Sequence, residues 1–105
     1  MPITRLSPEQ LKEFDRMVQQ TAMKFPGEVI RIRYSFGDDW YGDPAIFFRI
    51  LLADDTRRDD QFVNITKRVE DALHDGLGPA ASEYWPFVTI RTKAEQDKLQ
   101  DPEWE

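Results

Sequence analysis

Three patterns in the sequence predict an α+β domain in which two helices pack on one face of a small, mainly antiparallel sheet. Two segments repeat apolar residues three and four positions apart, as amphipathic helices do, and three shorter segments alternate apolar and polar residues, as half-buried strands do. Their order along the chain is helix, strand, strand, helix, strand. Because each helix has a single apolar stripe, we expect a two-layer sandwich with both helices on the same side.

Length and composition favour one domain over residues 1–105. The chain is 40% hydrophobic and 12% aromatic, which is enough for one core. It has no cysteine, which excludes disulfides and thiolate metal sites and is typical of a reducing compartment. The first residues do not resemble a secretory signal, and the longest apolar segment, 45–53, is less than half the roughly 20 residues of a membrane helix. We therefore expect a soluble, cytoplasmic protein with no membrane partner.

The first helix is predicted to begin after Ser7 and to end near Lys24. Ser7 is a typical helix cap, Pro8 suits the first helical position, and Gln10 stands three residues after the cap. The apolar stripe of this helix comprises Leu11, Phe14, Val18, Ala22 and Phe25.

A hairpin is predicted next, from strands at residues 28–36 and 45–53 joined by a loop rich in aspartate, glycine and proline. Alternation assigns one set of side chains to the helix-covered face of the sheet: Ile30, Ile32, Tyr34, Ile46, Phe48, Ile50 and Leu52. Val29 falls on the opposite face in this assignment.

The second half of the chain predicts a helix, a third strand and an acidic tail. The helix carries its apolar stripe at Phe62, Ile65, Val69 and Leu73 and ends near Gly76, and the strand covers residues 85–92. Residues 83–86 resemble an aromatic plug in the core. The tail, 93–105, has room for a short helix before Asp101. An extra edge strand at residues 3–6 would change the order to the split βαββαβ pattern.

The sheet face turned away from the helices is the predicted binding surface. Any register of the hairpin that keeps the apolar residues together places Arg49 opposite Arg31 or Arg33, and like charges in that position destabilise a sheet. An anionic group should therefore lie nearby. Three sources are open: the tail, through Glu95, Asp97, Asp101 or Glu103 with Trp104 covering Phe47 or Phe87; an acidic partner protein; or single-stranded nucleic acid.

The loop after the first strand adds a second candidate. Trp40 and Tyr41 are large rings at a loop tip, which is typical of interfaces, although they could fold back over the sheet edge. Asp38, Asp39 and Asp43 lie beside them, but their spacing does not match a calcium-binding loop. Turn formation explains these aspartates better, so we predict no metal and no cofactor.

The chain carries no recognisable catalytic signature. His74 stands alone near a helix end, and no glycine-rich phosphate-binding motif occurs. Our first hypothesis is a non-catalytic interaction or regulatory module that binds an acidic partner, or a second copy of itself. Its predicted binding residues are Arg31, Arg33, Phe47, Arg49, Phe87, Arg91, Trp40 and Tyr41. The alternative is single-stranded nucleic acid on the same face, which the net charge of −6 disfavours. A magnesium-dependent phosphoryl-transfer enzyme is a distant third.

Overall fold

The computed structural model describes residues 6–53, 59–77 and 84–104. Within them the elements follow the predicted order, so the α+β class is confirmed. They are α1 (Pro8–Met23), β1 (Val29–Asp38), β2 (Pro44–Leu52), α2 (Asp59–Gly76), β3 (Trp85–Thr92), α3 (Lys93–Leu99) and a 3-10 turn at Pro102–Trp104. The suggested edge strand at residues 3–6 lies, apart from Leu6, outside the described residues.

The start of α1 is the predicted capping box. The backbone N–H of Gln10 donates to Ser7 Oγ at 3.1 Å, and the N–H of Ser7 donates to Gln10 Oε1 at 2.8 Å. The helix ends at Met23, and Gly27, with φ +80°, turns the chain toward β1. The two bonds between Ser7 and Gln10 satisfy N–H groups that would otherwise lack partners at the start of the helix, so they fix where α1 begins.

The sheet has the order β1-β2-β3 and is mixed rather than mainly antiparallel. β1 and β2 form the predicted antiparallel hairpin, whereas β2 and β3 run parallel. The parallel pair follows from the connection, because α2 returns the chain to the end of the sheet at which β2 began. Periodicity alone does not report strand direction. The expected antiparallel pairing is therefore found only in the hairpin of β1 and β2.

A β-bulge at the start of β1 reverses one predicted assignment. Val29 pairs with Leu52 and Arg31 pairs with Leu51, which leaves Ile30 as an extra residue. Consequently Val29 is only 8% exposed and Ile30 is 43% exposed. The prediction that placed Ile30 in the core and Val29 on the other face is wrong, because an inserted residue shifts the alternation by one position.

The core lies between the sheet and both long helices. α1 contributes Phe14 and Val18, α2 contributes Ile65, Val69 and Leu73, and all are buried with one face of β1 and β2. The ring of Phe14 lies 4.8 Å from that of Tyr34 and 6.1 Å from that of Phe48. Two helices on one face are thus confirmed. None of the helices among the described residues has the length and apolar character needed to cross a bilayer.

Candidate functional site

The face of the sheet away from α1 and α2 is called here the outer face. Paired residues of neighbouring strands point to the same side, so the register defines its members. Ser35 pairs with Phe47, Arg33 with Arg49, and Arg31 with Leu51. On the other side of β2, Phe47 pairs with Phe87, Arg49 with Thr89, and Leu51 with Arg91. The predicted residues of the sheet do share this face.

Arg33 and Arg49 stand directly opposite each other, which is one of the two predicted registers. Arg49 is satisfied by neutral oxygen atoms. Its Nη1 donates to Ser35 Oγ at 3.1 Å, and its Nε donates to the carbonyl oxygen of Glu103 at 3.0 Å. The tail therefore reaches Arg49 through the backbone carbonyl of Glu103.

Arg91 is the main anchor of the C-terminal segment. Its Nη1 donates to Gln96 Oε1 at 3.1 Å and to Asp101 Oδ2 at 3.3 Å. Its guanidinium carbon lies 4.4 Å from the centre of the Trp104 ring, which is within range of a cation–π interaction. Trp104 is only 3% exposed. Arg91 thus contacts an amide, a carboxylate and an aromatic ring of the C-terminal segment.

The other acidic residues proposed as neutralising groups serve the tail itself. Glu95 Oε1 accepts from the N–H of Thr92 at 3.3 Å and completes the cap of α3, and Asp97 pairs with Lys93 at 3.0 Å. In the alternative that assigned this role to the tail, Trp104 was to cover Phe47 or Phe87; its ring lies against the guanidinium of Arg91. α3 ends at Leu99, and its C-cap residue Gln100 adopts a left-handed φ of 50° and turns the chain back toward Arg91 of β3.

At the other end of the outer face lies a depression that we call the aromatic groove. It has a volume of about 530 Å³ and is lined by Asp38, Asp39, Trp40, Phe47, Phe87 and Thr89. The rings of Phe47 and Phe87 stack at 5.5 Å with an interplanar angle of 16°. A Cβ on Gly37 would lie 3.0 Å from Phe47 Cε2, so a glycine here gives the ring its space.

The turn at residues 39–43 presents Trp40 and Tyr41 to solvent. Asp39 Oδ1 accepts from the backbone N–H groups of Tyr41 and Asp43, both at 2.9 Å, and Gly42 has a φ of +81°. Trp40 is 97% exposed and Tyr41 is 90% exposed. In the described part of the chain, no three His, Cys, Asp or Glu residues are grouped so that they could hold a metal ion. Asp39 acts as a turn former, as expected for this loop.

Trp85 is an exposed residue of the outer face that the sequence did not predict. The predicted aromatic plug is correct for Tyr84, which is buried with its ring 5.2 Å from that of Phe36, but Trp85 is 65% exposed. Trp85 pairs with Ala45 and shares the outer face with Phe87 two residues later. Strand alternation carried this signal, since Trp85 and Phe87 occupy positions of the same parity.

The eight predicted binding residues do not form one site. Trp40, Phe47 and Phe87 line the aromatic groove with Tyr41 in the adjoining turn, whereas Arg49 and Arg91 contact the C-terminal segment. Arg31 lies at the far end of β1, where it lines a second depression of about 420 Å³ together with Met23, Pro26 and Ile30. Comparison of this chain with protein-family models, with curated proteins and with solved structures finds no match.

Proposed function

We propose that this protein is a non-catalytic interaction module, accessory or regulatory in kind, that binds a partner protein at the aromatic groove. The observation that carries the proposal is the exposure of three large rings at this end of the sheet, Trp40, Tyr41 and Trp85. Exposed indole and phenol rings are unfavourable in water and are enriched among the residues that contribute most to protein interfaces.

The setting of the groove supports this proposal. Phe47 and Phe87 belong to paired positions of β2 and β3, and hydrogen bonds of the 39–43 turn fix the base of the Trp40 side chain. A partner that binds here meets rings already held by strands, so less conformational entropy is lost than on a flexible loop.

An acidic partner stays a prediction, because the arginines on which it depends have contacts within the chain. Arg49 and Arg91 bind the C-terminal segment through Glu103, Asp101 and Trp104. An acidic partner at this half of the outer face would have to displace that segment, whereas a partner at the aromatic groove would not. The partner at the groove can be another protein or a second copy of this chain. The absence of cysteine favours a cytoplasmic setting for it.

Single-stranded nucleic acid is the second candidate, favoured by the stacked Phe47 and Phe87 on an open sheet. Two carboxylates, of Asp38 and Asp39, line the same groove, and the net charge of −6 opposes the approach of phosphate. Titration with labelled single-stranded RNA at low ionic strength tests this candidate. Absence of binding there would remove it.

Affinity capture with two double variants tests the proposed function. Trp40→Ala with Trp85→Ala removes exposed rings at the groove end, and Met23→Ala with Ile30→Ala removes exposed apolar side chains elsewhere. We expect the first pair to lose the partner captured from cells that naturally express the protein, and the second pair to retain it. Equal capture by both pairs would contradict the proposal. Light scattering of the purified protein separately shows whether a second copy of this chain is the partner.

A further inference from the structure

We infer that the aromatic groove binds an arginine or lysine side chain presented by a basic and apolar segment of the partner. This inference rests on the proposed function, because it assumes that the groove is the contact surface, and it adds the chemistry of the partner. The occupant differs in charge from the acidic partner predicted from the arginines.

Charge is the first argument. Of the six residues that line the groove, two are aspartates and none is a lysine or arginine. Asp38 is exposed, and Oδ1 of Asp39 accepts two backbone N–H groups of the turn. A cationic side chain complements this edge of the groove. The net charge of −6 also attracts a basic segment from a distance.

The aromatic lining is the second argument. The faces of tryptophan and phenylalanine rings attract cations, and guanidinium groups use this interaction more often than ammonium groups. The chain already shows the same chemistry at two other places. Arg91 lies 4.4 Å from the centre of the Trp104 ring, and Arg68 lies 5.2 Å from that of Phe25. The aliphatic stem of an arginine or lysine would pack on the rings of Phe47 and Phe87 while its head meets the carboxylates.

The division of the outer face is the third argument. The arginine half is occupied by residues 101–104 of the same chain, whose Asp101 pairs with Arg91 at 3.3 Å. The half left for a partner is therefore acidic and aromatic. The groove, at about 530 Å³, has room for one or two long side chains.

The probe for this inference is the synthetic peptide acetyl-Gly-Ser-Arg-Leu-Arg-Ser-Gly-amide, titrated into the full chain and followed by NMR. Its twin carries citrulline, the neutral analogue, in place of both arginines. We expect saturable shifts of the Trp40 indole N–H and of the Phe87 and Thr89 amides. The citrulline peptide should bind more weakly than the arginine peptide, by up to about fivefold, as expected for loss of an ionic contact near the surface.

Two matched pairs of variants locate the interaction. Asp38→Asn removes a carboxylate that lines the groove, and Asp43→Asn removes one nearby that does not. Trp40→Ala and Tyr41→Ala form the same comparison for the rings. We expect Asp38→Asn to weaken binding of the arginine peptide about threefold and Asp43→Asn to weaken it less. Likewise, Trp40→Ala should weaken binding of this peptide more than Tyr41→Ala does.

The results separate this inference from the function on which it rests. Equal binding of the arginine and citrulline peptides would overturn the cationic occupant, while partner capture that still depends on Trp40 and Trp85 would leave the interaction module standing. If a uridine octanucleotide shifted the same resonances and bound more tightly than the arginine peptide, both proposals would be overturned in favour of nucleic acid.

Discussion

Among single residues, Tyr34 has a clearly altered acidity. Burial, a hydrogen bond to Asp15 and the charge of that carboxylate raise the pKa of Tyr34 to about 12, in that order of importance. The hydroxyl lies 3.0 Å from Asp15 Oδ1, which it can approach only as a donor, that is, while protonated. Tyr34 therefore joins the aromatic cluster of the core to the surface of α1.

This acidity predicts a pH-dependent contribution to stability. The pKa of Tyr34 is higher in the folded chain than the ordinary value of about 10, so its contribution is complete below pH 10 and is lost as the pH rises toward 12. Tyr34→Phe removes the titrating group and keeps the ring. In urea titrations, we expect the free energy of unfolding of wild type to exceed that of Tyr34→Phe by more at about pH 8 than at about pH 11. A difference independent of pH would contradict this cause.

The sequence predicts a single residue well when its role is local. Asp39 and Gly42 were readable as turn formers because their bonds lie within five residues. Ile30 and Val29 were not, since both are apolar and the alternation fits either one in the core. Only the pairing of Val29 with Leu52 decides between them, and that pairing depends on a distant strand.

The capping box of α1 yields a prediction about one element. Ser7→Ala removes the oxygen that accepts from the Gln10 N–H, and we expect it to lower the free energy of unfolding by about 1 kcal/mol. Ser7→Asn keeps an acceptor at the cap and serves as the control in the same urea titration. If both variants lost the same stability, the cap would not be the cause.

The C-terminal segment is the second element with a measurable contribution. Trp104→Ala removes a buried ring from beside Arg91, and we expect the free energy of unfolding to fall by about 3–5 kcal/mol, together with faster amide exchange in residues 93–104. Leu99→Ala, in the same segment but exposed, is the matched control and should change stability little. Similar losses in both variants would mean that the segment is not held by Trp104.

The like charges of Arg33 and Arg49 predicted an anionic group nearby, but the group that the C-terminal segment supplies at Arg49 is the neutral carbonyl oxygen of Glu103. Which group lies there depends on the direction the chain takes after α3. That direction follows from a left-handed Gln100, a residue that gives no sequence signal of the kind that a glycine would give.

At the scale of the molecule, the parallel pairing of β3 with β2 creates the two halves of the outer face. It places Phe87 beside Phe47 at one end and Arg91 beside Leu51 at the other. An antiparallel β3 would exchange these neighbours. Because strand direction is a property of the crossover and not of the alternation, the sequence predicted which residues share the face but not that they divide into an aromatic and an arginine half.

The central claim, that the aromatic groove is a partner-binding surface, is tested most directly by site-specific photo-crosslinking in cells that naturally express the protein. The photoreactive residue p-benzoylphenylalanine replaces Tyr41 beside the groove and, as the control, Gln20, which is exposed on α1. We predict a discrete protein adduct from position 41 that is absent from position 20 and is lost when Trp40→Ala is added. No adduct at position 41, or the same adduct from both positions, would contradict the claim.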